Sequence, residues 1–145
     1  MEIEVCVSSI EDVITVQKAG ATRIELCTAM EVIGITPTLS NYLLAKKVVD
    51  IPVLAFIRPR AGGFNYSDLE FEVMKRDMKA YYDAGARSFV FGILTENNEI
   101  DVDRCRILMD LCPDCEFIFH KAFDYVNDFD RSIQDLIELG FVRVL

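Results

Sequence analysis

Along this chain, segments whose apolar residues follow the period of a strand alternate with segments whose apolar residues follow the period of a helix. Short runs in which every second residue is apolar, or all are, are typical of strands, whereas apolar residues three and four positions apart are typical of helices. Glycines stand where three of the predicted helices should end, in the similar segments 19–26, 84–90 and 139–144. The pattern predicts strands at 2–7, 23–27, 53–57, 88–94, 116–120 and 142–145, and helices at 10–19, 39–49, 68–84 and 129–139, with a further helix that starts at Asp101 or Asp103 and ends before Pro113.

Strands that alternate with helices imply right-handed crossovers and a parallel sheet. No Gly-x-Gly-x-x-Gly motif follows the first strand, and polar residues stand at the ends of several strands, which favours a barrel over a doubly wound sheet. A complete barrel has eight units in about 250 residues. We therefore predict a single α/β domain over 1–145, an incomplete (β/α) TIM-type barrel of five βα units and the start of a sixth strand.

Composition narrows the possible partners and the compartment. The net charge of -9, with no cluster of basic residues, excludes a general nucleic-acid binder or a binder of anionic membranes. No apolar run approaches the ~20 residues of a membrane-spanning helix. The N-terminus carries no signal-peptide pattern, and the five cysteines form no secreted disulfide framework. We expect a cytoplasmic protein with reduced thiols.

Strand parity predicts which polar side chains face the lumen, the space enclosed by the curved sheet. In each strand the apolar positions should face the helices, and the alternate positions should face inward. Barrel enzymes place their sites at the carboxyl ends of the strands. Six side chains are expected to converge there: Glu4, Cys6, Glu25, Cys27, Arg58 and His120. We predict that Glu25 pairs with Arg58, because buried charges need partners. The alternative is that ion pairs among these side chains fill the lumen and have only a structural role.

The end of the third strand offers a candidate anion site. Arg58 and Arg60 flank Pro59, and the Gly62-Gly63 pair permits a tight backbone path beside a ligand. Two arginines in this position predict a clamp for a small anionic metabolite, although both could instead brace the structure by pairing with acidic neighbours.

His120, the only histidine, is the candidate general acid or base of such a site. Glu25 or Asp124 would orient it, and Glu4 would add a polar contact to the substrate. The alternative is that His120 is a core residue whose hydrogen bonds are made within the protein.

Cys6 and Cys27 end adjacent strands on the inward side. Two thiolates placed together could bind Cu(I), with His120 as a possible third ligand. The alternative is that both are small buried apolar residues, as free cysteines usually are.

Several segments, taken in order, resemble the CutC family of copper homeostasis proteins. They are Glu4-Val-Cys-Val7, Arg23-Ile-Glu-Leu-Cys27, Thr36-Pro37, Ile57-Arg-Pro-Arg60 with Phe64 and Tyr66, Phe91-Gly-Ile-Leu94 and Phe119-His-Lys-Ala-Phe-Asp124. The resemblance implies a (β/α) barrel that is cytosolic, homo-oligomeric and copper-binding, with Cys27 and Cys6 as ligand candidates. It also implies a polar lumen that contains Glu25, Arg58, Arg60, His120 and Asp124.

Two functions follow as hypotheses. The first is a copper homeostasis protein that binds Cu(I) through Cys6 and Cys27. The second is a barrel enzyme acting on a small anionic metabolite, with Arg58 and Arg60 as the anion clamp and His120 as the acid or base. A third, purely structural possibility is a partial barrel that associates only with itself or with a longer partner.

Overall fold

The computed structural model describes residues 1–145 as one curved sheet covered on its outer face by helices. The strands β1 to β6 are Glu4–Val7, Arg23–Leu26, Val53–Phe56, Ser88–Phe91, Glu116–Phe119 and Arg143–Val144. The helices α1 to α5 are Ile10–Lys18, Leu39–Val48, Asp68–Asp83, Val102–Asp110 and Phe129–Leu139. Two short 3₁₀ helices, Met30–Val32 and Lys121–Tyr125, follow β2 and β5.

The helices begin where side chains can accept hydrogen bonds from the free amide groups of the first turn. Ser9 caps α1, Thr38 caps α2 and Asp101 caps α4. At α3, Ser67 and Glu70 form a reciprocal capping box. All five helices therefore begin within two residues of their predicted positions.

The sheet is parallel throughout, with the strands in the order in which they occur along the chain. β1 and β6 are its edges and do not pair with each other, so the sheet forms an open half-barrel. The predicted fold class is thus confirmed. β4 is three residues shorter than predicted because the chain leaves the sheet at Gly92, although Ile93 and Leu94 remain buried.

Two apolar clusters lie on opposite faces of the sheet, as the strand parity predicts. The larger cluster lies between the sheet and the helices and includes Val7, Ile24, Leu26, Phe117 and Phe119. The smaller one fills the lumen and consists of Cys27, Leu54, Phe56, Val90 and Ile118. The helices are too short or too polar to cross a bilayer.

Glu4 lies at the amino end of the sheet, away from the expected site. Its carboxylate binds Arg23 at the start of β2 and Arg143 of β6, with 3.0 Å between Arg143 Nη2 and Glu4 Oε2. The prediction that Glu4 joins the other inward residues at the carboxyl ends of the strands is wrong. It stands at the first position of its strand, so its side chain joins the two arginines at the opposite end of the lumen.

Candidate functional site

Three sulfur atoms meet at the carboxyl ends of β1 and β2. The Sγ atoms of Cys6 and Cys27 are 3.6 Å apart. Met30 Sδ lies 3.1 Å from the Cys27 sulfur and 3.7 Å from that of Cys6. We call these three residues the sulfur trio.

The sulfur trio depends on a tight loop between β2 and α2. Thr28 and Ile35 form an antiparallel bridge that closes the loop, and Met30 lies in the 3₁₀ helix inside it. Ala29 and Ile33, at the two ends of that 3₁₀ helix, have positive φ angles of 54° and 69°. A left-handed conformation is unfavourable for a β-branched residue such as Ile33. The contacts of this loop therefore outweigh local strain.

Gly34 lets this loop approach the sulfur atoms closely. A Cβ atom at this position would lie 3.1 Å from both Cβ and Sγ of Cys27. Its φ of +77° also favours glycine.

The two thiols ionise unequally because they interact with each other. The hydrogen bond with Cys6 lowers the pKa of Cys27 below its ordinary value, against the opposing effect of burial. The same interaction, together with burial and the nearby Glu25 carboxyl, raises the pKa of Cys6. Cys27 is therefore the thiol that becomes a thiolate first.

A cavity of about 300 Å³ opens beside the sulfur trio, and we call it the lumen pocket. Its lining residues are Cys6, Glu25, Met30, Ile33, Phe56, Phe64, His120, Lys121 and Leu145. Three residues predicted to converge (Cys6, Glu25 and His120) do lie around this one cavity.

His120 is held with its ring in a fixed orientation. The ring lies between Phe56 and Phe64, with centroid separations of 5.5 Å and 5.0 Å. The main-chain N–H of Ala122 donates to Nδ1 over 3.2 Å. A Cβ atom on Gly92 would lie only 2.6 Å from Nδ1, so the ring requires glycine there.

The histidine is neutral at physiological pH. Burial, followed by the positive charge of Arg58, lowers the pKa of His120 to about 3. Since Nδ1 accepts a hydrogen bond, the ring proton lies on Nε2. Asp124 does not contact the ring: it is more than half exposed and lies 4.0 Å from Lys121 Nζ. A catalytic role for His120, Glu25 and Asp124 remains a prediction.

The predicted pairing of Glu25 with Arg58 is wrong. Arg58 is fully buried, and its guanidinium donates to the carbonyl oxygens of Val32, Gly34 and Gly62 over 2.6–2.8 Å. The loop after β2 supplies the first two carbonyls and draws the side chain away from the lumen. Glu25 thus has no cation, and burial raises its pKa.

The two arginines do not form the predicted anion clamp. Arg60 pairs with Glu70 and donates to the carbonyls of Ala61, Gly63 and Asn65. It lines a shallow, polar depression, whereas Arg58 borders a different cavity of about 440 Å³ next to the lumen pocket. Both guanidiniums are engaged by the protein: Arg60 pairs with an acidic neighbour, as the bracing alternative describes, whereas Arg58 binds carbonyl groups instead.

The sequence reasoning missed Met30 and the aromatic walls of the lumen pocket. Met30 follows Cys27 by three residues, and this Cys-x-x-Met spacing is a readable signal for a second soft ligand. No comparable signal marks Phe56 or Phe64 as neighbours of His120, because they lie far from it along the chain.

Comparison with known proteins decides the family. A family model described as the CutC family matches residues 1–145. The chain belongs to the CutC family. A family protein CutC of Treponema denticola is 42% identical over 145 residues, which are 100% of this chain and 59% of the relative. The human copper homeostasis protein cutC homolog is 45% identical over 143 residues, which are 99% of this chain and 52% of the relative.

The CutC fold is also seen directly in a solved structure. The crystal structure of CutC from Streptococcus agalactiae is similar with a TM-score of 0.93 and 34% identity, over 99% of this chain and 71% of that one. In sequence, the chain spans between half and two thirds of the length of the Treponema denticola and human relatives.

Proposed function

We propose that this chain serves copper homeostasis by binding Cu(I) through the sulfur trio of Cys6, Cys27 and Met30. The family membership supports a role in copper homeostasis, since relatives carry that name. The observation that supports Cu(I) binding is that the three sulfur atoms lie within 3.1–3.7 Å of one another.

The donor set fits a soft ion better than a hard one. No group of three or more His, Cys, Asp or Glu side chains is placed to hold a metal ion. Two thiols and a thioether instead match the preference of Cu(I) for sulfur ligands. If metal–sulfur bonds of about 2.3 Å, as found for zinc thiolates, are assumed, three sulfurs around one ion are separated by roughly 4 Å. The sulfur trio needs only a small expansion to reach that spacing.

Binding should depend on pH because the thiols must lose protons. Cys27 can ionise at a lower pH than an ordinary cysteine, whereas deprotonation of Cys6 is opposed by Cys27, burial and Glu25. Cu(I) bound to both sulfurs would offset this opposition with its own positive charge. Affinity is therefore expected to increase as the pH rises.

A competition titration with a chromophoric Cu(I) chelator, under reducing conditions, tests the proposal. Replacing both thiols (Cys6→Ser with Cys27→Ser) should weaken binding by at least ~100-fold, because both thiolate ligands are lost. Met30→Leu keeps the apolar volume and should weaken binding by about 10-fold.

Cys115→Ser is the matched control, because this thiol lies near the carbonyl of Ala86, away from the sulfur trio. It should leave affinity unchanged. Equal affinity in the double variant and the unaltered protein would refute the proposal, as would an equal loss in Cys115→Ser.

A further inference from the structure

The lumen pocket is lined by two buried residues, His120 and Glu25, that each carry one polar atom without a hydrogen-bond partner in the protein. His120 and Glu25 are only 3% and 6% exposed. Neither His120 Nε2 nor Glu25 Oε2 has a hydrogen-bond partner within the protein, and both residues line the pocket. We propose that the lumen pocket binds a small uncharged organic molecule that offers a hydrogen-bond acceptor to His120 and a donor to Glu25, as a planar carboxamide does.

His120 supplies a hydrogen-bond donor of fixed position. The hydrogen bond from Ala122 to Nδ1 leaves the proton on Nε2, so the free side of the ring donates. Phe56, Phe64 and the close approach of Gly92 restrict rotation of the ring. A carbonyl or hydroxyl oxygen is the group that fits this N–H.

Glu25 supplies the complementary acceptor. Its carboxyl has no ion-pair partner, and although the Cys6 thiol is close enough to hydrogen-bond to the group, Oε2 is left without a donor. A buried acceptor atom without a donor is unfavourable, so a ligand N–H that reaches Oε2 is favoured. A ligand carboxylate has no N–H to offer Oε2 and would place a second acceptor against it. The pocket thus favours a neutral amide over an anion.

The remaining walls set the size and shape of the ligand. Phe56 and Phe64 present aromatic faces, and Ile33 adds an aliphatic side chain. A volume of about 300 Å³ is at the lower end of the range for small-molecule sites. One ring with a single polar substituent fits these limits.

Benzamide is the probe, with benzoate and toluene as probes of similar size that lack the amide. Dissociation constants from ligand-detected NMR titrations should be at least ~10-fold lower for benzamide than for either of the other two, since one lost polar pairing is worth about this factor. Tighter binding of benzoate, or equal binding of all three, would overturn the proposal.

Two substitutions test the two polar contacts independently. His120→Asn keeps an acceptor near the Ala122 amide but removes the donor at Nε2, and Glu25→Leu removes the acceptor. Each should weaken benzamide binding by about 10-fold or more. Glu138→Gln, at an exposed position of α5 that does not line the pocket, is the control and should bind benzamide as the unaltered protein does. Circular dichroism establishes that each variant is folded, and Glu25→Leu carries the test if His120→Asn is not. Undiminished binding in a folded variant of either residue would refute the assignment of that contact.

Benzamide binding and Cu(I) binding use different side chains and can be measured separately. The variant with Cys6→Ser and Cys27→Ser should retain benzamide binding, and His120→Asn should retain Cu(I) binding. Loss of benzamide binding in the cysteine variant would mean that the sulfurs, rather than the two unpaired polar groups, define the pocket.

Discussion

Acidification from pH 7 to pH 4 is expected to lower the free energy of unfolding by about 3 kcal/mol through His120 alone. In the folded protein the pKa of His120 is lowered to about 3, whereas an unfolded chain gives histidine its ordinary value near 6.5. Between these two values only the unfolded state binds the proton. The stability due to this residue is therefore complete above about pH 6.5 and declines as the pH falls towards 3.

Urea unfolding at several pH values measures this effect when the unaltered protein is compared with His120→Asn. The carboxylates of the protein titrate similarly in both proteins, so the difference between the two stability curves reports the titration of the histidine. Glu25 acts in the opposite direction: its raised pKa means that protonation of this buried carboxyl favours folding as the pH falls. The comparison is therefore made in a Glu25→Gln background, which removes that contribution. Parallel pH curves for the two proteins would show that His120 is not buried in its neutral form.

Replacing Arg58 with leucine is expected to lower the free energy of unfolding by about 3 kcal/mol or more, because three carbonyl groups, of which that of Gly34 is buried, lose their charged donor. Two of those carbonyls, of Val32 and Gly34, belong to the loop that carries Met30. Without the guanidinium, the strain at Ile33 is no longer balanced. We expect the loop to move, taking the thioether away from the two thiols.

Arg58→Leu should consequently weaken Cu(I) binding by about 10-fold, the usual effect of losing a group that positions a ligand. It should also raise the pKa of His120, because the Arg58 charge contributes to lowering it. Chemical denaturation, chelator competition and NMR titration of the imidazole measure the three effects.

Arg60→Leu is the control for Arg58→Leu. The Arg60 side chain is 37% exposed and pairs with a partly exposed carboxylate, so its loss should lower stability by only about 1 kcal/mol and should leave Cu(I) affinity unchanged. Equal effects of the two substitutions on Cu(I) affinity would contradict the positioning role of Arg58.

The fold could be predicted from sequence because each βα unit carries its own signals. Alternating apolar residues mark the strands, and residues such as Ser9 and Ser67 mark the helix starts. Parity alone correctly directed Cys6, Cys27 and Glu25 inward, since successive side chains of a strand point to opposite faces. These inferences need no knowledge of how distant segments meet.

The partners of the inward residues could not be predicted in the same way. Arg58 turns towards a loop whose shape depends on left-handed backbone at Ala29 and Ile33, and neither residue type signals that conformation. The pairing guessed for Glu25 failed for this reason. The position of Met30 depends on the same loop, so only its spacing from Cys27 could have suggested it.

The ion pair between Glu4 and Arg143 has a consequence for the order in which the sheet can assemble. Every strand pairing joins neighbours in the chain, so the sheet can grow one unit at a time. Glu4 and Arg143, in contrast, are 139 positions apart. Their contact closes a loop of nearly the whole chain and can form only when both edge strands are in place. The ion pair thus stabilises the finished curvature of the sheet without guiding the steps that lead to it.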